Sequence, residues 1–304
     1  MFFSSAATRQ RRLFPNMNGF IYHVASGQSL LSGFAFVASG LALVRIARGR
    51  ITKAAGKISV PVGAGLMWLS STPFPVWLEI LLAGSLVAWL AAECGCNSMP
   101  RTVRAVRLVL LGLCGLAVFV EVPQWKSLPL PQVKHAKVFV VGDSISSGLD
   151  SSKPTWPALW QQQTKAKIVN LAKPGATLSG GARQAAQIPE GPCLVLIELG
   201  GNDLLGKSTG KGFETDLEQL LTALRKPGRM LVMIELPLLP GQAAMGRGQR
   251  TLAQAHGVYL IPKRFFARVF GDPEATIDGL HLSERGTAAM ASMVREQIGA
   301  LLVE

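Results

Sequence analysis

Val138-Phe139-Val140-Val141-Gly142-Asp143-Ser144-Ile145-Ser146-Ser147-Gly148 opens as an unbroken apolar run and closes in small and polar residues. The run predicts a strand buried on both faces, and the Gly142–Gly148 segment predicts the turn at its carboxyl end. From Lys137 onward, short β-branched runs alternate with longer amphipathic ones. Strands are expected near 137–142, 167–171, 193–199, 230–236 and 258–261, and helices near 155–165, 178–187, 213–226, 247–256 and 283–302. This rhythm predicts an α/β domain over 137–304, a parallel sheet with helices on both faces. Such sheets bind ligands at the carboxyl ends of their strands.

Upstream the chemistry changes. Glu121–Lys134 contains Pro123, Pro129 and Pro131 and loses the apolar character on either side, which predicts a stiff linker over 123–136. Residues 1–122 read as a membrane region. The runs 30–47, 76–96 and 105–122 are each long and apolar enough to cross a hydrocarbon core of ~30 Å. The run 58–74 is shorter and broken by Pro61, Gly63 and Gly65, so the count is three spans or four, with Ser70-Ser71-Thr72-Pro73 as the turn in the second case.

Charge follows this division. Residues 1–133 hold 12 Lys and Arg against three Asp and Glu, whereas 134–304 hold 19 against 15. Arg9, Arg11, Arg12, Arg45, Arg48, Arg50, Lys53, Lys57, Arg101, Arg104 and Arg107 flank apolar runs, the pattern of membrane topology signals rather than of a nucleic-acid footprint. With four spans, the basic loops 45–57 and 97–107 share the cytoplasmic side and the N-terminus lies outside. With three, the N-terminus lies inside and loop 48–57 outside. Both versions send the 137–304 domain to the non-cytoplasmic side, periplasmic or extracellular in a bacterium. The apolar core of the first run begins too late, and too many runs follow, for a cleavable signal. Cys94, Cys96, Cys114 and Cys193 form no disulfide framework, and Cys94-Gly95-Cys96 lacks the second cluster a metal site needs.

Three strand-end or loop motifs carry the chemistry. Ser144 follows the first strand among small residues, where a nucleophile sits close to free backbone N–H groups; a turn with a helix cap has the same composition. Asn202 follows the third strand in Gly200-Gly201-Asn202-Asp203, placed either to donate to an oxyanion or to occupy a left-handed turn position. Asp278-Gly279-Leu280-His281 precedes the last helix, whose expected N-cap is Ser283. One turn brings that carboxylate beside the imidazole, so that one ring nitrogen is fixed and the other can take a serine proton; a capping Asp and a surface His would read the same way. His256 sits at a helix end with no carboxylate near it in sequence, and His135 lies in the linker.

Taken together, these blocks resemble the SGNH or GDSL hydrolases, in which Ser, Gly, Asn and His occur in that order. Here they correspond to Ser144 in GDSIS, Gly175 in NLAKPGAT, Asn202 in GGND and His281 in DGLHLS, with Asp278 three residues earlier. The resemblance covers residues 137–300. Thr155-Trp156-Pro157-Ala158-Leu159 and Glu198-Leu199-Gly200-Gly201-Asn202-Asp203 are similar to the arylesterase and acyl-thioesterase/lysophospholipase branch. Ile145 stands where that family has Leu, and Pro174 precedes Gly175 where a small residue is more familiar. The Gly-x-Ser-x-Gly elbow of α/β-hydrolases is absent, because position 146 is Ser.

The resemblance implies a flavodoxin-like sheet and a membrane-anchored esterase acting on carboxylic esters or thioesters. Ser144 would attack, His281 would carry the proton, Asp278 would orient it, and Ser144, Gly175 and Asn202 would form the oxyanion hole. No metal or organic cofactor is needed. The expected partners are an acyl substrate and the lipid bilayer; nucleic acid is not expected, and no protein partner can be inferred. An acyltransferase or O-deacetylase working on a sugar or lipid hydroxyl would use the same residues, and a catalytically inactive ligand-binding membrane module would keep the fold.

Overall fold

The parallel sheet expected from the apolar runs is present in the computed structural model, which describes residues 17–94, 100–127, 129, 133–134, 137–164, 166–206, 208–299 and 302–303. Arg9, Arg11, Arg12, Cys96, Pro131, His135 and the side chain of Cys94 lie outside the described residues. A short ladder pairs β1 (Val133–Lys134) in parallel with β7 (Leu302–Val303), so part of the predicted linker is drawn into a strand. The main sheet comprises β2 (Lys137–Gly142), β3 (Lys167–Asn170), β4 (Cys193–Glu198), β5 (Arg229–Ile234) and β6 (Tyr259–Ile261). Its order is β3-β2-β4-β5-β6 and every pairing is parallel. The chain starts at β2, steps outward to β3, then crosses back to β4 and runs the other way. That reversal opens a crevice at the carboxyl ends of β2 and β4, as in flavodoxin-like sheets.

Alternation along the strands divides the core between the two faces. Phe139, Val141, Val195, Ile197 and Met233 pack under the helices at Leu178–Ala185, Gly210–Leu224 and Ala243–His256. Val138, Val140, Leu194, Leu196 and Val232 pack under those at Trp156–Gln161, Lys263–Gly271 and Glu284–Ile298. All of β4 is buried, which is why it reads as one apolar run. The Lys263–Gly271 helix was not expected; its phenylalanines follow the last strand directly after Pro262.

The N-terminal part begins with α1 (Met17–Ala25) and continues through α2 (Ser29–Ile46), α3 (Arg50–Leu69), α4 (Val76–Cys94) and α5 (Pro100–Glu121). The marginal run is therefore a 20-residue helix that starts earlier than expected and continues through Pro61. Its hydropathy is lowered by Arg50, Lys53 and Lys57, so among the described residues three segments, Ser29–Ile46, Val76–Glu93 and Pro100–Trp125, are long and apolar enough to cross a membrane. Small residues let α2 and α3 touch through their backbones: a Cβ on Gly33 would meet Gly63 O at 2.5 Å, and one on Gly40 would meet Gly56 O at 2.8 Å. These pairings make the two helices antiparallel. At one end of the bundle Glu93 pairs with Arg107 and with Lys57; at the other lie Gly27, Ser71 and Glu121.

That second end docks on the sheet. Ser71 Oγ accepts from Leu238 N at 2.5 Å, and Arg247 donates to Phe74 O at 2.9 Å and Glu79 at 2.7 Å. Beside them, buried Glu121 accepts both terminal nitrogens of Arg250 at 2.7 and 2.9 Å and Lys263 Nζ at 3.1 Å. Glu235 takes Arg250 Nε at 2.8 Å and the backbone N–H of Lys263 at 3.0 Å. Leu238 and Lys263 follow β5 and β6, so the bundle meets the same carboxyl-end edge of the sheet that bears the crevice.

Candidate active site

Ser144 is the first residue of α6 (Ser144–Ser147), where β2 turns into its crossover. Asp143 caps this short helix by accepting the Ile145 N–H at 2.9 Å. Gly142 has no alternative, because a Cβ there would lie 2.7 Å from Ser146 Oγ and 3.1 Å from Glu198 Oε2. Gln184 clamps the same residue, accepting from Gly142 N and donating to Gly142 O, both at 2.9 Å. The Ser144 turn is thus held from below, and Ser144 Oγ makes no hydrogen bond among the described residues.

Gly175 lies in the β3 crossover at φ +70°, with nothing within 4 Å of the position a Cβ would take. The left-handed backbone closes a turn in which Ala176 N donates to Lys173 O at 3.1 Å, and Lys173 N ties the segment to Gly142 O at 3.1 Å. The backbone N–H groups of Ser144 and Gly175 have no hydrogen-bond acceptor among the described residues.

Asn202 lies inside the short helix α9 (Gly201–Leu205) after β4; the left-handed position of that turn is Gly200, at φ +110°. The turn-residue alternative for Asn202 therefore fails. Its Nδ2 donates to Ala176 O at 2.9 Å and to Asp143 Oδ2 at 3.2 Å, joining the three strand-end segments. Asp203 adds a further tie by accepting from Leu178 N at 3.0 Å. To serve an oxyanion, Asn202 would redirect one of its two hydrogens, the longer bond to Asp143 being the weaker.

Asp278 and His281 meet as the spacing predicts. Asp278 Oδ2 is 2.7 Å from His281 Nδ1, while Oδ1 accepts the backbone N–H groups of Leu280 at 3.0 Å and His281 at 2.8 Å. Desolvation works to raise the Asp278 pKa, but these bonds outweigh it and hold the carboxyl at about 2. The imidazole Nε2 is left over. Ser283 is the N-cap of the following helix, accepting from Gly286 N at 3.2 Å. His281 is close enough to Asp143, next to Ser144, for its charge to favour the Asp143 carboxylate. His256 instead pairs with Glu218 at 2.9 Å, ahead of the amino end of β6 and away from the crevice.

Sequence reasoning missed one feature directly beneath Ser144. Glu198, the last residue of β4, is fully enclosed, accepts Ser146 Oγ at 2.7 Å and shares hydrogen bonds with Asp143. Burial first, and the Asp143 charge second, push its pKa well up. Burial likewise raises Asp143 to about 6. The motif Glu-Leu-Gly-Gly-Asn-Asp carried the signal, since an acid ending a wholly buried strand requires a partner.

The glycines of loops 204–212 and 237–247 suggest mobile segments. They are instead pinned: Gln242 Nε2 donates to Leu204 O at 2.5 Å, and the helix that begins at Ala243 absorbs Gly246 and Gly248. Leu149, Leu205, Leu239, Ile277 and Leu280, on the loops around the strand carboxyl ends, are exposed.

Residues 140–289 match the model of the GDSL-like lipase/acylhydrolase family. Esterase TesA of Pseudomonas aeruginosa is 32% identical over 49% of this chain and 81% of its own length. An arylesterase of Vibrio mimicus is 28% identical over 53% of this chain and 88% of its own. A thioesterase/protease/lysophospholipase of Escherichia coli is 31% identical over 54% of this chain and 84% of its own. Each of the three covers about half of this chain.

Proposed function

The chain belongs to the GDSL-like lipase/acylhydrolase family and is an ester hydrolase, and on that premise we propose that it is a membrane-anchored serine esterase whose triad is Ser144, His281 and Asp278. The observation that carries this reading is the 2.7 Å bond from His281 Nδ1 to Asp278, which leaves Nε2 without a partner among the described residues, with His281 near enough to Asp143 for its charge to act there.

Ser144 Oγ attacks the acyl carbonyl as His281 Nε2 takes its proton, and Asp278 stabilises the resulting imidazolium. The carbonyl oxygen, now negative, is met by the unpaired N–H groups of Ser144 and Gly175 and by one hydrogen of Asn202. His281 returns the proton to the leaving alcohol or thiol, and water attacks the acyl-enzyme by the reverse route.

Three features support the membrane reading: the three membrane-length apolar helices, the basic residues Arg50, Lys53 and Arg107 at the bundle end away from the sheet, and the docking of the other end on the catalytic edge. On the positive-inside rule that basic end lies on the cytoplasmic side and the catalytic domain on the non-cytoplasmic side. The exposed leucines around the crevice suit an acyl ester drawn from that surface.

Ser144→Ala tests the assignment. The full chain in detergent is expected to react with a fluorophosphonate and to hydrolyse acyl esters, and the variant to do neither while melting at the same temperature. Labelling of the variant at the unchanged rate would remove Ser144 from the site.

A further inference from the structure

A cavity of about 700 Å³ lies between the helical bundle and the catalytic domain, and its lining includes none of Ser144, Gly175, Asn202, Asp278 or His281. The second half of α3 contributes Ala64 and Met67, the middle of α4 contributes Leu82, Ala83 and Leu86, and α5 closes the deep end with Leu110. The catalytic domain supplies the roof, the segment Leu238–Ala244. Polar groups collect beneath that roof: Ser70, Thr72 and the Glu79–Arg247 ion pair. The far end is wholly apolar.

Trp68 and Ile80, which flank the cavity on α3 and α4, are 72% and 65% exposed, so the opening is lateral, between two bundle helices. In a bilayer that opening faces hydrocarbon, and the polar roof lies at the headgroup level. The volume falls within the ~300–1,000 Å³ of small-molecule sites. An apolar slot, open to lipid along its side and polar only at the interfacial end, is shaped for an amphiphile with one long chain.

We infer that this cavity binds an acyl chain of a bilayer lipid, at a site separate from the Ser144 crevice; the inference rests on the reading that the bundle spans a membrane. The lipid chain lies along α3 and α4 with its ester end beneath Leu238–Ala244. The same segment is bonded through Gln242 to Leu204 in the helix that carries Asn202, so the site adjoins the catalytic crevice without being part of it.

The test uses the full chain carrying Ser144→Ala in vesicles of phosphatidylcholine doped with a phosphatidylcholine bearing a diazirine in one acyl chain. After irradiation, crosslinks are expected to concentrate in residues 61–86 and 238–244, to be displaced by unlabelled lysophosphatidylcholine, and to fall to background in Ala64→Trp and Ala83→Trp, which fill the slot from opposite helices. Displacement is measured on the unfilled chain and stands even if a tryptophan variant misfolds. Crosslinks spread evenly over exposed faces such as those of Ile51 and Phe119, with no displacement, would overturn the inference. Carbonate extraction separates the two failures: a chain released from the membrane sinks the membrane reading and this site with it, whereas a retained chain with even labelling sinks the site alone.

Discussion

The protein buries two clusters of ionisable side chains at the same edge of its sheet, and they are built on opposite principles. At the joint between bundle and catalytic domain, Glu121 and Glu235 face Arg250 and Lys263, two charges of each sign in mutual hydrogen-bond contact. Beneath Ser144, Asp143 and Glu198 face each other with hydroxyl and amide donors and, among the described residues, no cation in contact. The first cluster exchanges water for opposite charge. The second cannot, so burial pushes both carboxyls up, Asp143 to about 6 and Glu198 well above its ordinary value. A balanced quartet fixes how two domains sit, whereas a like-charged pair holds the turn that carries Ser144.

The largest expected effect comes from unbalancing the joint. Glu121→Ala leaves Lys263 and Arg250 buried with one carboxylate between them, and loss of one partner from a buried ion pair costs about 3–5 kcal/mol. A large fall in the unfolding midpoint of the detergent-solubilised chain is expected, with little change in kcat per folded molecule. The double variant Glu121→Met with Lys263→Met removes one charge of each sign and should recover most of the loss. If the double variant is as unstable as the single one, the joint is not held by charge balance.

The next effect is at the crevice. Asn202→Ala removes the amide that bridges Ala176 and Asp143 and that we assign to the oxyanion. Loss of one such donor lowers kcat by roughly 10²–10³, about 2.7–4 kcal/mol in the barrier, with KM nearly unchanged, because the bond strengthens only as charge develops. A variant that melts earlier yet keeps near-normal kcat would show that Asn202 only braces the three strand ends.

These two clusters also mark where sequence reading stops. The strands, the crevice and the Asp278–His281 pair were legible because each is local: apolar runs of strand length, a Ser directly after one of them, and a carboxylate three residues from an imidazole. Glu121 and Lys263 are 142 residues apart, and nothing in either neighbourhood separates a buried lysine from a solvated one. Ser146 and Glu198 are 52 apart and meet only once β2 and β4 pair. The span count was ambiguous for a related reason. Hydropathy weighs Arg50, Lys53 and Lys57 against the helix, whereas the contact of Gly63 with Gly33 depends on a partner the window does not contain.

The smallest expected effect is a pH dependence of stability to which the like-charged pair contributes. The Asp143 pKa is raised in the folded chain from 3.8 to about 6, chiefly by burial. Below pH 4 the carboxyl is protonated whether the chain is folded or not, so its full contribution is present there. As pH rises from about 4 to about 6, the unfolded chain gives up its proton first, so stability falls with rising pH through that window. A shift of this size corresponds to on the order of 3 kcal/mol at most. Glu198 adds to the fall at higher pH, its pKa being raised well above 4.5. Glu198→Gln imitates the neutral acid: its carbonyl can accept from Ser146, its amide can donate to Asp143, and it has no proton to lose. Chemical denaturation across pH 4–8 is expected to give similar stabilities for the two chains at the acid end, with the wild type losing more as pH rises. Parallel curves would mean that Glu198 is not held neutral under the nucleophile, and the contrast between the two clusters would then rest on geometry alone.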